Sequence, residues 1–356
     1  MNKKPVSLLV LITVLLVVLF AGVSLLQPTF AANDIETAKP AAGGGGGDIP
    51  ALLEMVGGPQ VFIPFIMQSC PLPLRPAAEW LAYVNFYRGT ADLFEVTENT
   101  AWSCGNVLHG RYMVKNDIQE HDEDPGNPWY TPSGQTAAMS SNLATSSDVN
   151  ETDEFAIEAF MQAPFHAVGV LDPRLYTVGF GSYREADGGF QMGAGLDVIQ
   201  GLGVISDSIA YPIAWPTEGA VIPLTLHWGE YPSPLSSCAG YTLPSGLPII
   251  LQIGPGDVTP DVTASSFKAN GVEVDHCVFD ETNYINPDPA AQDLARLILG
   301  ARDAIVLVPK NPLTPGATYS VSITTNGSTH AWSFEVSGVA ATAVPANAYI
   351  SQVASP

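Results

Sequence analysis

The chain has 356 residues, with 13 Lys or Arg against 35 Asp or Glu, and a formal net charge of -22 at pH 7. A field of that sign repels phosphate backbones and anionic headgroups, which excludes nucleic acid and electrostatic docking on acidic lipid. An apolar fraction of 46% is ample for a core, and the length suits two domains plus extra segments.

Residues 1–31 read as a signal peptide or N-terminal anchor. Lys3 and Lys4 form a basic start, an apolar run follows from Val6 to Leu26, and Thr29-Phe30-Ala31 offers small residues for cleavage before Ala32. Cleavage takes both lysines away and moves the charge from -22 to -24. The run is also close to bilayer-spanning length, so an uncleaved anchor is the alternative, and it is the only membrane attachment the sequence offers. Either way the remainder is secreted or tethered outside the cytoplasmic membrane. Residues 32–69 contain the run Gly43 to Gly47 and form a Gly-rich flexible linker. Four cysteines suit an oxidising compartment, and they allow three pairings or buried free thiols. Cys70 and Cys104 fall in the first half, Cys238 and Cys277 in the second. One bridge per domain is the expectation, Cys70-Cys104 and Cys238-Cys277.

A first domain starts near Cys70. Pro76 opens a helix over 77–88, with Trp80, Val84 and Tyr87 on one stripe. The spacing predicts a second helix over 100–116 and puts His109 on or beside its buried face. Asp153 caps a third helix that ends before Pro164. Strand patterns at 176–184 and 190–199 flank Ala186-Asp187-Gly188-Gly189, a hairpin signal. Helices followed by a hairpin make this part α+β.

From Ser206 the texture changes. Short β runs appear at 220–228, 247–253 and 304–308, punctuated by proline and glycine. A helix over 289–299 has Asp288 as cap and Gly300 as stop. Residues 319–336 alternate around an Asn326-Gly327 turn and predict a hairpin with one buried face. The second half reads as an antiparallel β-sandwich over 206–338, with 339–356 a loose tail. Asn150-Glu151-Thr152 and Asn326-Gly327-Ser328 match a glycosylation sequon, the second being the hairpin turn itself.

Four blocks occur in an informative order. They are VNFYR (Val84 to Arg88), the stretch HGRYM to EHDED (His109 to Asp124), SSNLA (Ser140 to Ala144) and FMQAPFHAVGVLDPRLYTVGFG (Phe160 to Gly181). With them the chain resembles the bacterial branch of the CAP superfamily, also called SCP: cysteine-rich secretory, antigen-five and pathogenesis-related proteins. The resemblance implies a three-layer α-β-α sandwich over 70–203. The run NPLTPGATYSVSI to WSFEV resembles the closing strands of bacterial Ig-like modules, which implies an Ig-like β-sandwich after it.

The family's two cleft histidines fall on His121 and His166. Its glutamates do not carry over, because Ser141 and Ala163 stand in their places. Some family members hold zinc or another divalent metal on the histidine pair. Here the carboxylates that orient such rings are missing from their usual positions. Glu123 offers a substitute, and His109 offers a third imidazole for an open zinc site whose water Glu123 would activate as general base. The plainer alternatives are a satisfied core histidine at 109 and a solvated acidic loop at 120–124. Ser141 as nucleophile lacks a Gly-x-Ser-x-Gly elbow and an acid to orient His166. Trp129 and Tyr130 offer rings for stacking on a sugar or lipid, or for pinning their loop over the core. His227, His276 and His330 read as structural or surface residues. Two functions are therefore expected. The first is binding of a small molecule, lipid or cell-envelope component in a His121/His166 cleft, with the sandwich for attachment. The alternative is a metal-assisted hydrolase at the cell envelope. The oligomeric state leaves no trace in the sequence.

Overall fold

A computed structural model describes residues 69–338 and the backbone of 348–351; the leader and nearly all of the Gly-rich linker lie outside the described residues. The fold is mixed α+β, with six α-helices among the described residues and several sheets.

Helix α1 (Ala77–Gly89) turns Trp80, Val84 and Tyr87 into the core, as their common stripe requires. Helix α2 (Thr100–Asn116) starts where the Asn99 side chain accepts from the amides of Ala101 and Trp102. It stops at Asp117, which sits in the left-handed region at φ 53°. Cys104 on α2 is bonded to Cys70, 34 residues earlier, so the bridge ties down the chain ahead of α1. Opening it by Cys70→Ser with Cys104→Ser is expected to cost about 3–4 kcal/mol, by release of loop entropy in the unfolded chain. Urea unfolding measures this, and a loss below about 1 kcal/mol would show that the bridge constrains little.

Helix α3 (Pro132–Ser140) lies where the sequence predicted no helix. Helix α4 (Asp153–Met161) is capped by Thr152, whose hydroxyl accepts from Phe155 N. Asp153, the expected cap, is instead buried between Arg75 at 2.6 Å and Arg184 at 2.7 Å. Helix α5 (Pro164–Val170) was also unexpected. Both new helices place proline in their first turn, where its missing N–H costs nothing. Pro164 therefore begins one helix just after another has ended.

The first sheet runs Phe180–Arg184, Met192–Asp197, Ser141–Ser146, all antiparallel, and Ala348–Ser351 pairs on its far edge with Ser351 opposite Leu143. The loose tail expected over 339–356 is corrected at 348–351. A strand of four residues is too short to show alternation, and it covers an edge whose backbone groups would otherwise lack partners. Helix α2 crosses this sheet closely: a Cβ on Gly193 would lie 2.7 Å from the Gly110 carbonyl oxygen.

In the second half, His276–Phe279, Ala304–Pro309, Ile249–Gln252 and Ile213–Trp215 form one antiparallel sheet. A five-stranded sheet is built around Val262–Ala269, Thr318–Thr325 and Ser328–Val336. Asn326-Gly327 turns the predicted hairpin, and Asn270-Gly271, also at positive φ, turns another between Val262–Ala269 and Val272–Glu273. Helix α6 (Pro289–Gly300) starts at Asp288, whose side chain accepts from Ala290 N. Cys238 is bonded to Cys277, and two disulfides suit an oxidising environment. No helix among the described residues is long and apolar enough to cross a membrane.

The change of texture near Ser206 does not divide the core. One apolar cluster extends from Trp80 through Trp215 to Val336, and the chain from Cys70 onward packs as one unit. Polar links reinforce this union. Trp215 Nε1 donates to Thr90 Oγ1 at 3.0 Å, Gln252 Nε2 donates to the Leu171 carbonyl at 3.0 Å, and Arg302 meets Asp172 at 2.9 Å.

Candidate functional site

One carboxylate of the acidic stretch after α2 folds inward. Asp122 and Asp124 are exposed, whereas Glu123 is 1% exposed. Its Oε1 lies 3.0 Å from His109 Nδ1, and its Oε2 accepts from Thr131 N at 2.9 Å. His109 Nε2 faces the Glu120 carbonyl at 3.0 Å, so both ring nitrogens meet oxygen atoms. His109 is thus a satisfied core histidine and not a third ligand. Glu123 thus has one oxygen on the His109 ring and the other on the Thr131 amide. Gly134 makes the inward turn possible, because a Cβ there would collide with Glu123 Oε1 and Thr131 Oγ1.

His121 is 5% exposed and its Nδ1 donates to the Ala138 carbonyl at 2.7 Å. Burial drives its pKa down to about 3, opposed by that hydrogen bond and assisted by the charges of His109 and His166. His121 therefore lies within electrostatic reach of both other imidazoles. His166, on the first turn of α5, is fully buried and stacks on Phe160 with ring centroids 5.9 Å apart. The sequence pointed to an open cleft. The structure instead holds both rings below the surface, in polar surroundings. A surface groove of about 500 Å³ lies along α1, lined by Ala77, Leu81, Asn85 and Phe86, and none of these histidines borders it.

Glu230, which sequence reasoning left out, and His227, which it read as structural or surface, complete the surroundings of His166. Glu230, from the second half of the chain, has a fully buried side chain. Its Oε2 lies 2.7 Å from His166 Nδ1, and its Oε1 accepts from Phe165 N at 3.3 Å. Three residues earlier, His227 Nδ1 donates to the Gln162 carbonyl at 2.9 Å. Burial lowers the His227 pKa, against the charge of Glu230. The signal was the His-Trp-Gly-Glu spacing at 227–230, which a reading of 206–338 as a separate module set aside.

Asn142 Nδ2 donates to the His166 carbonyl at 3.2 Å, while its Oδ1, buried, hydrogen-bonds to no protein group. The same holds for His227 Nε2 and for Ser141 Oγ. An acid does lie against the His166 ring, contrary to expectation, but the Ser141 hydroxyl is not engaged by that ring and no nucleophile–base pair is assembled. Trp129 is pinned to α2, with the Arg111 guanidinium 5.2 Å and Lys115 Nζ 5.4 Å from its ring, which favours the loop-pinning role. Tyr130 is half-buried beside it. Among the described residues no group of three or more His, Cys, Asp or Glu is placed to hold a metal ion. Two imidazoles fall short of the three protein ligands that a catalytic zinc takes.

No protein-family model matches the chain, and neither does any of the curated proteins.

Proposed function

We propose that the chain is an exported CAP-like protein with an Ig-like C-terminal part, and that it binds a small polar ligand beside His121 and His166. The observation that carries this reading is the pair of buried polar atoms around His166, Asn142 Oδ1 and His227 Nε2, that no protein group satisfies. A buried polar atom left without a partner costs about 1–3 kcal/mol, and a ligand with donor groups would recover that cost. Burial of both imidazoles favours a small molecule over a lipid chain or an envelope polymer. The carboxylates argue against the hydrolase alternative, since Glu123 and Glu230 each spend both oxygens on holding neighbours.

Calorimetric titration of the exported form with ammonium, choline, acetate, phosphate and zinc chloride tests this. Saturable binding of at least one probe, lost in His121→Ala with His166→Ala, is expected. At a probe concentration about 100 times Kd, binding raises stability by about 2.7 kcal/mol. Silence towards every probe, or ester or peptide hydrolysis abolished by His166→Ala, overturns the reading; stoichiometric zinc with such hydrolysis establishes the alternative.

A further inference from the structure

The four residues 227–230 reach across from the second half of the chain and grip the α4–α5 turn at three points. His227 Nδ1 holds the carbonyl of Gln162, the residue that ends α4. Glu230 takes the Phe165 amide with one oxygen and the His166 ring with the other. Gly229 sits between them at φ 126°, a conformation that side-chain-bearing residues rarely adopt. The Phe165 ring packs in turn on Phe279 and Tyr284, with centroids 6.2 and 5.4 Å away. The first turn of α5 is thus embedded in the second half and held there by a buried carboxylate.

We propose that Glu230 is the positioning residue of His166, so that the histidine site is built jointly by both halves of the chain. A ring whose Nδ1–H is held by a carboxylate has its rotation and its proton placement fixed together, which is how outer partners orient ligating imidazoles. A carboxylate missing from the first half is thereby supplied by the second. The second half then belongs to the site and is more than an attachment module. That last step rests on the binding reading above; the role of Glu230 towards the ring does not.

The test is made on the full exported chain by proton and nitrogen NMR of the histidine side chains. In the wild-type protein the His166 Nδ1–H resonance should be shifted downfield, protected from exchange, and close in space to the Glu230 methylenes. Glu230→Ala should speed its exchange about ten- to hundredfold, the range expected for losing a hydrogen bond to a charged group. Thr217→Val, which removes another contact between the halves, that with Asp92, should leave the resonance unchanged. Glu230→Ala with wild-type exchange overturns the proposal. If that variant does not fold, the wild-type protein still decides: a rapidly exchanging or undetectable His166 Nδ1–H, with no Glu230 proximity, overturns it equally. Failure of every ligand titration with a protected, Glu230-dependent proton would remove the binding reading and leave the positioning role in place.

Discussion

Replacing Asp172 with alanine is expected to destabilise the protein by about 3–5 kcal/mol, the cost of breaking a buried ion pair by removing one partner. Asp172 follows α5 and is fully buried. Arg302 from the second half lies 2.9 Å away, and Arg174 clasps it with Nε and a terminal nitrogen at 2.9 and 2.7 Å. The Arg302 Nε approach is close but poorly aligned for a hydrogen bond, so the link to Arg302 is chiefly one of charge. Burial pushes the Asp172 carboxyl up; Arg302 and Arg174 together outweigh it and hold it below the usual carboxylate range. A depressed carboxylate stabilises the fold above its unfolded pKa of about 3.9, and that contribution fades as pH falls through the folded value. Alanine leaves Arg302 buried with no compensating anion. Urea unfolding at pH 7 measures the loss, and a cost below about 1 kcal/mol would show that the cluster carries little of the union between the halves. Asp172→Leu with Arg302→Met should recover part of the loss, since apolar replacement of both partners is far less costly than breaking the pair.

Much of the local structure could be read from the sequence where one strong signal acted alone. Helix α2 runs over the predicted residues because its apolar face and Asn99 cap agree. The 318–336 hairpin forms because alternation on both strands meets at Asn-Gly. Failures came where one residue serves two purposes. Pro164 stops one helix and starts the next. Asn270-Gly271 carries the same turn signal as Asn326-Gly327, but its second strand, Val272–Glu273, is only two residues long and shows no alternation.

The site was less legible than the fold. His121 and His166 were identified by their positions in ordered blocks, and the charge of His166 acts on the His121 ring. What the sequence could not carry was direction. The carboxylates of Glu120, Asp122, Glu123 and Asp124 look alike in composition, yet among them only Glu123 turns inward, because Gly134 leaves room for it and His109 waits behind. Glu230 is 64 residues from His166 in the chain; the His-Trp-Gly-Glu stretch marks a polar site there but not which ring it meets. Such pairing arises from packing across the two halves, which periodicity and motif spacing do not encode.

The pH dependence of stability should expose the buried neutral imidazole at 121. Its folded pKa of about 3 lies well below the unfolded value of about 6.5. Between those limits the unfolded chain binds the extra proton, so stability from this residue is complete above the upper value and is lost as pH falls. The shift corresponds to about 2 kcal/mol between pH 6.5 and 5, and on the order of 5 kcal/mol by pH 3. His227, also held low by burial, acts in the same direction. The Asp172 cluster titrates at lower pH and leaves the upper part of this window clear. His121→Gln keeps a polar side chain of similar reach but cannot take up the proton. Whatever it costs at pH 7, the stability gap between wild type and variant should shift in the variant's favour by about 2 kcal/mol on going to pH 5. Urea unfolding at pH 7, 6 and 5 measures that gap. If it stays constant within about 0.5 kcal/mol, the ring at 121 is not held neutral by its surroundings, and the electrostatic coupling of the three imidazoles fails with it.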